Sequence, residues 1–570
     1  MPPAPAPLAL VVLDGLAVLA GDAGAEVVAG GPDALAAAVA AREADGPRWV
    51  LWSAREVAPL VAAGLHLARA HDLAAVHRLL HGGAREDPAA VHAAAHGLPE
   101  PPEPSRRPRP AHGTGLLELD LDGGGGAGDG PVGPDGVLTG AWASGRALGA
   151  DEPPAVRAER AVRWAELALE VAARQRAALD GHALSTAWSE SAAALLAVEL
   201  EVTGLPVDVR AAEELLGALV GPRPRSEAEE RAARAARDAP VLAALGAEPG
   251  AVDLRSPAAV LAALRARGVD LPDTRSWRLE RLTADPAAGR LARALLHHRR
   301  AERVATTYGY AWLDAHVGAD GRLRGRWSAA DAAAGRMTAQ AGLHNLPAEL
   351  RPVVAAEPGH VLVRADLGQV EPRVLAAVSG DEGLLRATAD DDLYAPVAAA
   401  LGVDRPTAKV AVLAAMYGQT SGAAGRALER MERAYPRALA HLRAAEAAGR
   451  EGRSVRTHGG RLVRTGGVPA ASAEAVAARG RFARNAVVQG SAAELFKAWA
   501  VTVRAGLAGT GGRVVLCLHD ELLLHVPEAD AGRAVALLER ALGAAAGWWA
   551  PGSGARFLAE ASVVRRWSEV

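Results

Sequence analysis

The sequence predicts an α/β protein of several domains, and three observations predict it: length, apolar content and alternating strand-like and helix-like segments. The chain has 570 residues, which is too long for one hydrophobic core and implies three or four subdomains. Half of the residues are apolar, so several cores can form. Short apolar runs typical of strands alternate with Ala-rich stretches typical of helices. We therefore expect an α/β multidomain protein.

The first part of the chain has the pattern of a small α/β unit. Apolar runs at 8–13 and 49–52 are separated by Ala-rich segments, as strands separated by helices would be. Residues 97–140 are rich in Pro and Gly, which predicts a loop or flexible linker. From about residue 154, helical composition dominates until strands resume near residue 320.

Cysteine content and hydropathy exclude two classes of protein. The single cysteine, Cys517, lies in an apolar strand-like run. This excludes a disulfide framework and favours a reducing cytoplasm, with Cys517 as a small buried apolar residue. No run is long enough to span a membrane, and the N-terminal apolar stretch contains Asp14 and lacks basic residues, unlike a signal peptide. We expect a cytoplasmic protein with no membrane association.

Two strand-like runs about 150 residues apart each end in carboxylates. Residues 361–366 end in Asp366, and residues 514–521 end in Asp520 and Glu521. Two-metal phosphoryl-transfer sites hold ions about 4 Å apart with hard oxygen ligands. Two aspartates that converge from rigid strands meet that requirement, so these residues are candidate metal ligands.

Between these runs, residues 405–417 predict a helix. Asp404 is a candidate N-cap, Pro406 suits the first turn, and Gly418 follows the last helical residue. Because a helix has 3.6 residues per turn, residues at four-residue steps share one side. Two cations, an apolar residue and a phenol on that side would suit a triphosphate and a stacked base. These residues are Arg405, Lys409, Leu413 and Tyr417.

Lysine usage supports this interpretation of the helix. Only two of the 63 basic residues are lysines, Lys409 and Lys497. One of them stands on the side of the helix that would meet phosphates, although chance alone also places a lysine there in some sequences. We expect Lys497 on an exposed side of another helix.

At these residues the chain resembles the family A DNA polymerases, the bacterial DNA polymerase I type. The first palm motif of that family, D-Y-S-Q-I-E-L-R, is matched by Asp366, Gln369, Glu371 and Arg373. Its fingers helix, R-x-x-x-K-x-x-x-F-G-x-x-Y-G, is matched by Arg405, Lys409, Tyr417 and Gly418, and its last palm motif, H-D-E, by residues 519–521. Weaker matches follow the same order at 335–338, 343–347, 455–461 and 481–493, so the resemblance covers roughly residues 195–570.

The resemblance implies a right-hand arrangement of palm, fingers and thumb, preceded by a ribonuclease-H-like α/β domain of the 3′→5′ exonuclease type. It leaves no room for a 5′-nuclease domain. The implied domains are an exonuclease-like domain at 1–190, the thumb at 191–318, the first part of the palm at 319–382, the fingers at 383–481 and the second part of the palm at 482–570.

The resemblance also implies catalytic roles. Asp366 and Asp520 would hold two Mg²⁺ ions together with the backbone carbonyl of Leu367, and Glu521 would assist nearby. Lys409 would protonate the leaving pyrophosphate.

An incoming deoxynucleoside triphosphate would be bound by the same motifs. Arg405 and Lys409 would grip its phosphates. Glu371 would crowd the sugar 2′ position and hydrogen-bond toward Tyr417, which would exclude ribonucleotides. Three further residues complete the implied nucleotide-binding set: Gln369, Leu413 and His519.

Primer-template DNA would be the second partner. Minor-groove acceptors occur at similar places for every base pair, so polar side chains there can check geometry without sequence preference. Because the net charge is −3, DNA binding must rely on local basic clusters. The cluster at 297–303 is one candidate, or else a solvated helical face paired with Glu302; the cluster at 322–336 is another. The implied DNA-contacting residues are Arg299, Arg303, Arg336, Asn345, Arg461, Arg481, Asn485 and Gln489.

The chain departs from the family at four positions. Leu413 stands where the family has Phe or Tyr, and Ala414 replaces the following Gly. Leu367 and Gly368 replace Tyr and Ser, although coordination by a backbone carbonyl does not need the tyrosine side chain. Leu413 reflects either simple helix packing or a change in nucleotide selectivity.

The exonuclease-like domain lacks the acidic pattern of that activity. The family needs D-x-E at the end of the first strand, but here Asp14 is followed by Gly15 and Leu16. The alternating acids Glu118, Asp120 and Asp122 lie in the low-complexity stretch, and the helix around 164–167 lacks the expected Tyr and Asp. We predict that the fold is kept without the activity.

The resemblance therefore predicts a monomeric, template-directed DNA polymerase that serves replication or repair gap filling. A single-subunit RNA polymerase also uses paired aspartates, but Glu371 and Glu521 favour the DNA enzyme. Two further functions stay open: a bifunctional 3′→5′ exonuclease and DNA polymerase, and a primer-template binding protein with impaired catalysis.

Overall fold

The structure is a computed structural model that describes residues 6–103, 130–331, 333–418, 423–466 and 472–569, without the side chains of 423–427. The glycine run at 123–126 and the acidic residues Glu118, Asp120 and Asp122 lie outside the described residues. The chain divides into two compact units. The first comprises 1–203, 327–338 and 359–563, and the second comprises 204–326, 339–358 and 564–570.

The N-terminal part of the first unit is a sheet covered by helices on both faces. The strand order is β3-β2-β1-β4-β5, with β1–β2–β3 antiparallel and β1–β4–β5 parallel. Alternate residues of β1 enter opposite cores: Ala9 and Val11 face Trp164, whereas Leu10 faces Leu195. The elements are β1 (Pro7–Leu13), β2 (Leu16–Gly21), β3 (Gly24–Ala29), α1 (Pro32–Glu43), β4 (Arg48–Leu51), α2 (Ala58–Ala62), β5 (Ala70–Asp72), α3 (Leu73–His81), α4 (Pro88–Ala95), α5 (Gly140–Ala143), α6 (Pro154–Ala177) and α7 (Gly181–Thr203).

This arrangement confirms the small α/β unit predicted for the first 95 residues, because the apolar runs at 8–13 and 49–52 form β1 and most of β4. The helices predicted from residue 154 are α6 and α7. Its kinship with an exonuclease-type domain stays a prediction.

The second unit is mainly helical. Its core joins α9, α10, α11 and α12 through residues such as Leu242, Leu264, Leu279 and Leu295, and β6 pairs antiparallel with β7. Its elements are β6 (Leu205–Pro206), α8 (Val209–Val220), α9 (Glu227–Leu245), α10 (Pro257–Ala266), α11 (Ser276–Leu282), α12 (Gly289–Thr307), α13 (Tyr310–His316) and β7 (Arg322–Leu323). The segment 327–338 of the first unit contains β8 (Trp327–Ser328) and the first residue of β9 (Thr338–Ala339).

The C-terminal part of the first unit contains a four-stranded sheet in the order β13-β14-β10-β15. Strand β14, one of the two central strands, is antiparallel to both of its neighbours, β13 and β10. The elements are β10 (His360–Leu367), α14 (Val370–Ser379), α15 (Glu382–Ala387), α16 (Tyr394–Leu401), α17 (Arg405–Tyr417), α18 (Ala423–Ala434), α19 (Pro436–Arg450), β11 (Val455–Arg456), β12 (Leu462–Val463), α20 (Ala473–Leu507), β13 (Arg513–Leu518), β14 (Glu521–Pro527), α21 (Ala531–Trp549) and β15 (Ala559–Val564).

Three of the predicted domain limits fall inside helices. The limit at 190/191 lies within α7, the limit at 382/383 within α15, and the limit at 481/482 within α20. One boundary between the two compact units lies at 203/204, at the end of α7. The predicted domain limits stay predictions. The palm, fingers and thumb assignments themselves stay predictions.

Among the residues that the structure describes, no helix has the length and apolar character needed to cross a membrane. Cys517 is fully buried in β13, and burial raises the pKa of its thiol. This confirms its predicted place as a small buried apolar residue.

Candidate active site

The predicted metal-binding carboxylates lie together at one end of the four-stranded sheet. Asp366 near the end of β10 stands directly opposite Glu521, the first residue of β14. The amide of Leu367 donates to the carbonyl of Asp520 at 2.9 Å. His519 has a φ of 46°, a left-handed conformation that makes the β13–β14 turn tight. The predicted convergence of the two strand ends is therefore present.

The electrostatics of this cluster suit a bound cation. Burial, followed by the charges of Asp520 and Glu521, raises the pKa of Asp366 to about 6. Burial also raises the pKa of Asp520. Adjacent carboxylates that repel one another are stabilised in their charged form by a divalent ion, and oxygen donors are what Mg²⁺ prefers. The donor set thus fits the predicted ions.

Glu521 already has a cationic partner. Arg364 on β10 donates to its Oε1 at 2.7 Å, and the hydrogen bond to Glu521 raises the pKa of Arg364. Sequence reasoning missed Arg364, although a charged residue two positions before Asp366 in an apolar strand was a usable signal.

The predicted helix is α17, and its predicted limits are confirmed. The Asp404 side chain accepts from the amide of Thr407 at 3.0 Å, and Gly418 ends the helix with a φ of 68°. Arg405 and Lys409 are exposed, and both lie near the ring of Tyr394, at 5.7 and 6.0 Å from its centre. The two cations are therefore open to a ligand on one side of the helix.

Leu413 is half-buried and packs against the core formed by α14, α16, α17 and α19. This contact agrees with the packing interpretation. Its effect on nucleotide selectivity stays a prediction.

Glu371 links the two motifs. Its Oε2 accepts from the hydroxyl of Tyr417 at 3.0 Å, and its Oε1 accepts from Arg336 at 2.8 Å. The predicted Glu371–Tyr417 hydrogen bond is present. Burial raises the pKa of Tyr417, whose hydroxyl also bonds to Gln489.

Gln369 and Asp392 form a network beside α17. Gln369, at a φ of 53°, accepts from the amide of Leu393 at 2.8 Å and donates to Asp392 at 3.3 Å. Asp392 in turn accepts from Arg405 at 2.5 and 3.1 Å. Sequence reasoning missed Asp392, although it closes a run of three aspartates just before α16.

Arg373, the last residue of the first motif, is fully buried. Its guanidinium donates to five backbone carbonyls, and burial lowers its pKa. It therefore ties the turn after β10 to two other loops. The accepting residues are Gly368, Thr388, Asp390, Asp391 and Arg556.

Three of the predicted DNA-contacting residues line the first part of α20. Arg481 is exposed, whereas Asn485 and Gln489 are half-buried. The Oδ1 atom of Asn485 is buried without a hydrogen-bond partner among the described residues. Arg484 donates to the carbonyl of Ala415 at 2.7 Å and so fastens α20 to α17.

Three other residues that were predicted to contact DNA lie in the second unit: Arg299, Arg303 and Asn345. Arg303 and Asn345 are both exposed. The Arg303 guanidinium donates to the carbonyl of Asn345 at 3.2 Å. Arg299 is half-buried and donates to the carbonyl and hydroxyl of Thr274. Arg303 is thus the more accessible of the two arginines.

Glu302 does not pair with the arginines of its own helix, although the interpretation of a solvated helical face requires such a pair. It accepts from Arg255, which precedes α10, at 2.5 Å, and it lies 3.6 Å from Nε2 of the buried His298. It does not pair with Arg299 or Arg303, whose hydrogen bonds go to Thr274 and Asn345. The two arginines therefore keep their charge free of an acidic partner on this helix.

Two predictions about basic residues need correction. Arg461 was expected to contact DNA, but its side chain is 4 % exposed and forms an ion pair with Glu190. Lys497 was expected on an exposed helix side, but it is fully buried and is ion-paired with the same glutamate. Lys497 lies on the side of α20 that α7 covers, and Arg461 lies in the β11–β12 turn that packs against α20. No local sequence pattern in α20 indicates these contacts.

A family model described as DNA polymerase family A matches residues 263–550. The chain belongs to DNA polymerase family A. It is 30% identical over 276 residues to the thermostable DNA polymerase I of Thermus thermophilus, a match that covers 44% of this chain and 33% of the relative. It is 32% identical over 278 residues to DNA polymerase I of Chloroflexus aurantiacus, covering 44% and 29%. The chain thus spans about a third of the length of these relatives.

A solved structure has the same fold. It is described as the POL domain of Pol1 from M. smegmatis in complex with DNA primer-template and dNTP. The TM-score is 0.67 at 21% identity, and the match covers 99% of this chain and 96% of that one. The predicted fold class, an α/β family A polymerase domain, is confirmed.

Proposed function

We propose that this protein is a template-directed DNA polymerase that adds deoxynucleotides to the 3′ end of a primer. The observation that carries the proposal is the placement of Asp366 and Asp520 on neighbouring strand ends, joined through the Leu367–Asp520 hydrogen bond. Membership of DNA polymerase family A supports it. So do the relatives, which are DNA polymerase I enzymes, and the structural neighbour, which holds primer-template and dNTP.

Asp366, Asp520 and the carbonyl of Leu367 would hold two Mg²⁺ ions. When bound, such ions lower the pKa of the attacking hydroxyl and neutralise charge on the leaving phosphates. Glu521 and Arg364 would stabilise the site without binding the ions, because their ion pair holds the first residue of β14 next to Asp520.

Arg405 and Lys409 would bind the triphosphate. Their exposure on one side of α17 and their adjacency support this role. Lys409 would protonate the departing pyrophosphate oxygen, since a lysine is a mobile proton donor and an arginine is not. Gln369 and His519 would complete the pocket around the nucleotide.

Glu371 would select the sugar. Its hydrogen bond from Tyr417 and its ion pair with Arg336 hold the carboxylate in one position. A fixed side chain of that size at the 2′ position would leave no room for a hydroxyl group. Leu413 would then contribute packing without the aromatic ring that the family carries.

Primer-template DNA would contact residues of α20 in the first unit. Arg481, Asn485 and Gln489 would follow the minor groove, and Arg336 would reach the primer end. In the second unit, Arg303 and Asn345 would contribute contacts, whereas Arg299 is open to DNA only in part. We further propose a cytoplasmic monomer that acts in replication or repair.

Extension of a labelled primer-template with Mg²⁺ and deoxynucleotides tests the proposal. We expect the wild type to extend the primer and Asp520→Ala to lose extension by a factor of at least about 10³, because a metal ligand is removed. Asp530→Ala is the matched control, because Asp530 follows the opposite end of β14 and its carboxylate accepts from Arg533 at 3.0 Å. Extension should be kept.

The same assay separates the competing functions. Tight primer-template binding without extension would refute the catalytic proposal and favour the binding protein. Equal use of ribonucleotides would favour the RNA polymerase. Shortening of a mismatched primer in Mg²⁺ without nucleotides would favour the bifunctional enzyme, whose first strand end here offers only Asp14 before Gly15.

A further inference from the structure

Four charged side chains form a buried cluster in the first unit, separate from the candidate metal-binding carboxylates Asp366 and Asp520. They come from α7, from the turn between β11 and β12, and from α20. Each is at most 4 % exposed. The buried charge cluster consists of Glu190, Arg461, Glu494 and Lys497.

The four charges compensate one another. Glu190 forms ion pairs with both Arg461 and Lys497. Burial alone would raise the pKa of Glu190, but the two cations outweigh burial and lower it. Glu494 accepts from the Thr457 hydroxyl and from the amide of Gly459.

A cluster of this kind is seldom explained by stability. Moving charges out of water costs several kcal/mol per ion, and apolar replacements are often equally stable. In some proteins buried ion pairs instead hold the groups that they touch in one defined geometry.

The group that the cluster touches is Gly335. Lys497 donates to its carbonyl at 2.7 Å. On its other side, a Cβ atom at Gly335 would collide with the Arg461 guanidinium, and its φ of 78° also requires glycine. Lys497 therefore binds the carbonyl of Gly335, and Arg461 packs closely against its Cα.

The next residue reaches the candidate nucleotide site. Arg336 donates to Glu371 at 2.8 Å, and Glu371 accepts from Tyr417 at 3.0 Å. A continuous series of contacts thus connects α7 to the residues that would select the sugar.

We propose that Glu190 is a positioning residue for the nucleotide site, which holds Gly335 through Lys497 and Arg461 so that Arg336 keeps Glu371 in place. This inference rests on the proposed polymerase function. Glu190 lies outside residues 263–550, which the family model matches, so the site depends on a helix from the N-terminal part of the chain.

Steady-state single-nucleotide extension by Glu190→Gln tests the inference, since the amide keeps the shape and removes the charge. We expect KM for the deoxynucleotide to rise about 5- to 20-fold, with kcat changed less than about twofold. In the Arg336→Ala background the same substitution should change KM by less than about twofold, because residues that act through one another are not additive.

Glu199→Gln is the matched control. Glu199 lies on the same helix and pairs with Arg504 at 2.5 Å, but it does not belong to the cluster. An equal rise in KM for Glu199→Gln, or an undiminished effect of Glu190→Gln in the Arg336→Ala background, would overturn the inference.

If Glu190→Gln does not fold, Glu190→Gln/Lys497→Met removes one charge of each sign and should fold. It should raise KM to a similar extent, and an unchanged KM would overturn the inference. The wild type separates the two proposals: no extension by the wild type refutes the polymerase function, whereas normal extension by both the wild type and the variants refutes only the role of Glu190.

Discussion

At the residue scale, acidic side chains pair with Arg405 and Arg336, the two arginines proposed to bind the triphosphate and the primer end. Arg405 donates to both oxygens of Asp392, and the two side chains are 54 % and 31 % exposed. Arg336 also has an acidic partner, because it donates to one oxygen of Glu371 at 2.8 Å. An exposed ion pair contributes only about 0–1 kcal/mol, so a triphosphate with several negative oxygens can replace Asp392 as the partner of Arg405.

Replacing Asp392 with Asn should therefore strengthen nucleotide binding. The guanidinium of Arg405 would no longer have a competing anion, and we expect KM for deoxynucleotides to fall about two- to fivefold, equivalent to about 1 kcal/mol at most. Single-nucleotide extension at saturating primer-template measures the change.

Asp391→Asn is the control for overall charge. Asp391 precedes Asp392 in the chain, but it pairs with Arg556 at 2.8 Å and not with Arg405. Equal shifts in the two variants, or a rise in KM for Asp392→Asn, would show that Asp392 does not compete with phosphate.

At the element scale, α20 organises the first unit. This 35-residue helix begins at a Ser472 cap, where the hydroxyl accepts from the amide of Ala475. It carries the candidate DNA-contacting residues in its first half and the buried Lys497 further along. Its glycine at position 490 permits close approach, because a Cβ atom there would lie 2.5 Å from Thr457 Cγ2 and 3.1 Å from the carbonyl of Ala334.

Gly490→Ala should consequently destabilise the protein, although alanine favours a helix by about 1 kcal/mol. The backbone oxygen of Ala334 cannot move away as a flexible side chain would, so we expect a net loss of about 1–3 kcal/mol, measured by thermal melting.

Gly543→Ala in α21 provides the opposite case. Gly543 is exposed, and a Cβ atom there meets nothing within 4 Å. The melting temperature should rise slightly. A stabilised Gly490→Ala variant would contradict the close packing of α20 against residue 334.

At the scale of the whole molecule, the first unit gathers three separate stretches of chain. Glu190, Arg336 and Glu371 come from different stretches and lie in one series of contacts.

The N-terminal part of this unit contains two acidic side chains that are wholly or partly buried. One oxygen of Glu56 is buried without a hydrogen-bond partner among the described residues, and Asp72 accepts from the amides of Ala54 and Ala75.

Stability should fall as the pH rises because of Glu56. Burial, followed by the charge of Asp72, raises the pKa of Glu56 from 4.5 to about 8. Between these values the folded protein binds more protons than the unfolded chain, so the free energy of unfolding decreases as pH increases through this window.

Glu56→Gln should remove this dependence. We expect the variant to be more stable than the wild type by about 2 kcal/mol at pH 9 and by much less at pH 5, measured by melting curves across pH. Glu26→Gln, which breaks an exposed pair with Arg42, should have no such pH dependence. Parallel curves for Glu56→Gln and the wild type would refute the raised pKa.

Much of the candidate site was predictable because its signals are local. The limits of α17 follow from Asp404 and Gly418, and the convergence of Asp366 and Asp520 follows from two apolar strands that end in carboxylates. The Glu371–Tyr417 contact followed from the family resemblance. Each of these features depends on spacing over a few residues or on a motif.

Other features were missed or wrong because their cause lies far away in the chain. Asp392 pairs with Arg405 across thirteen residues, and no spacing rule indicates that contact. Arg461 was expected to contact DNA because it matches a family motif, but its partner, Glu190, lies in another part of the sequence.

The sequence by itself determined the local elements, the position of the carboxylates at strand ends and membership of the polymerase family, since backbone periodicity, caps and motifs act within short segments. Only the tertiary structure decided which charges are exposed. Lys497 is buried because α7 and residue 335 cover its side of α20. Burial of one helix by another depends on segments hundreds of residues apart, and the free energy of a charge depends on that covering.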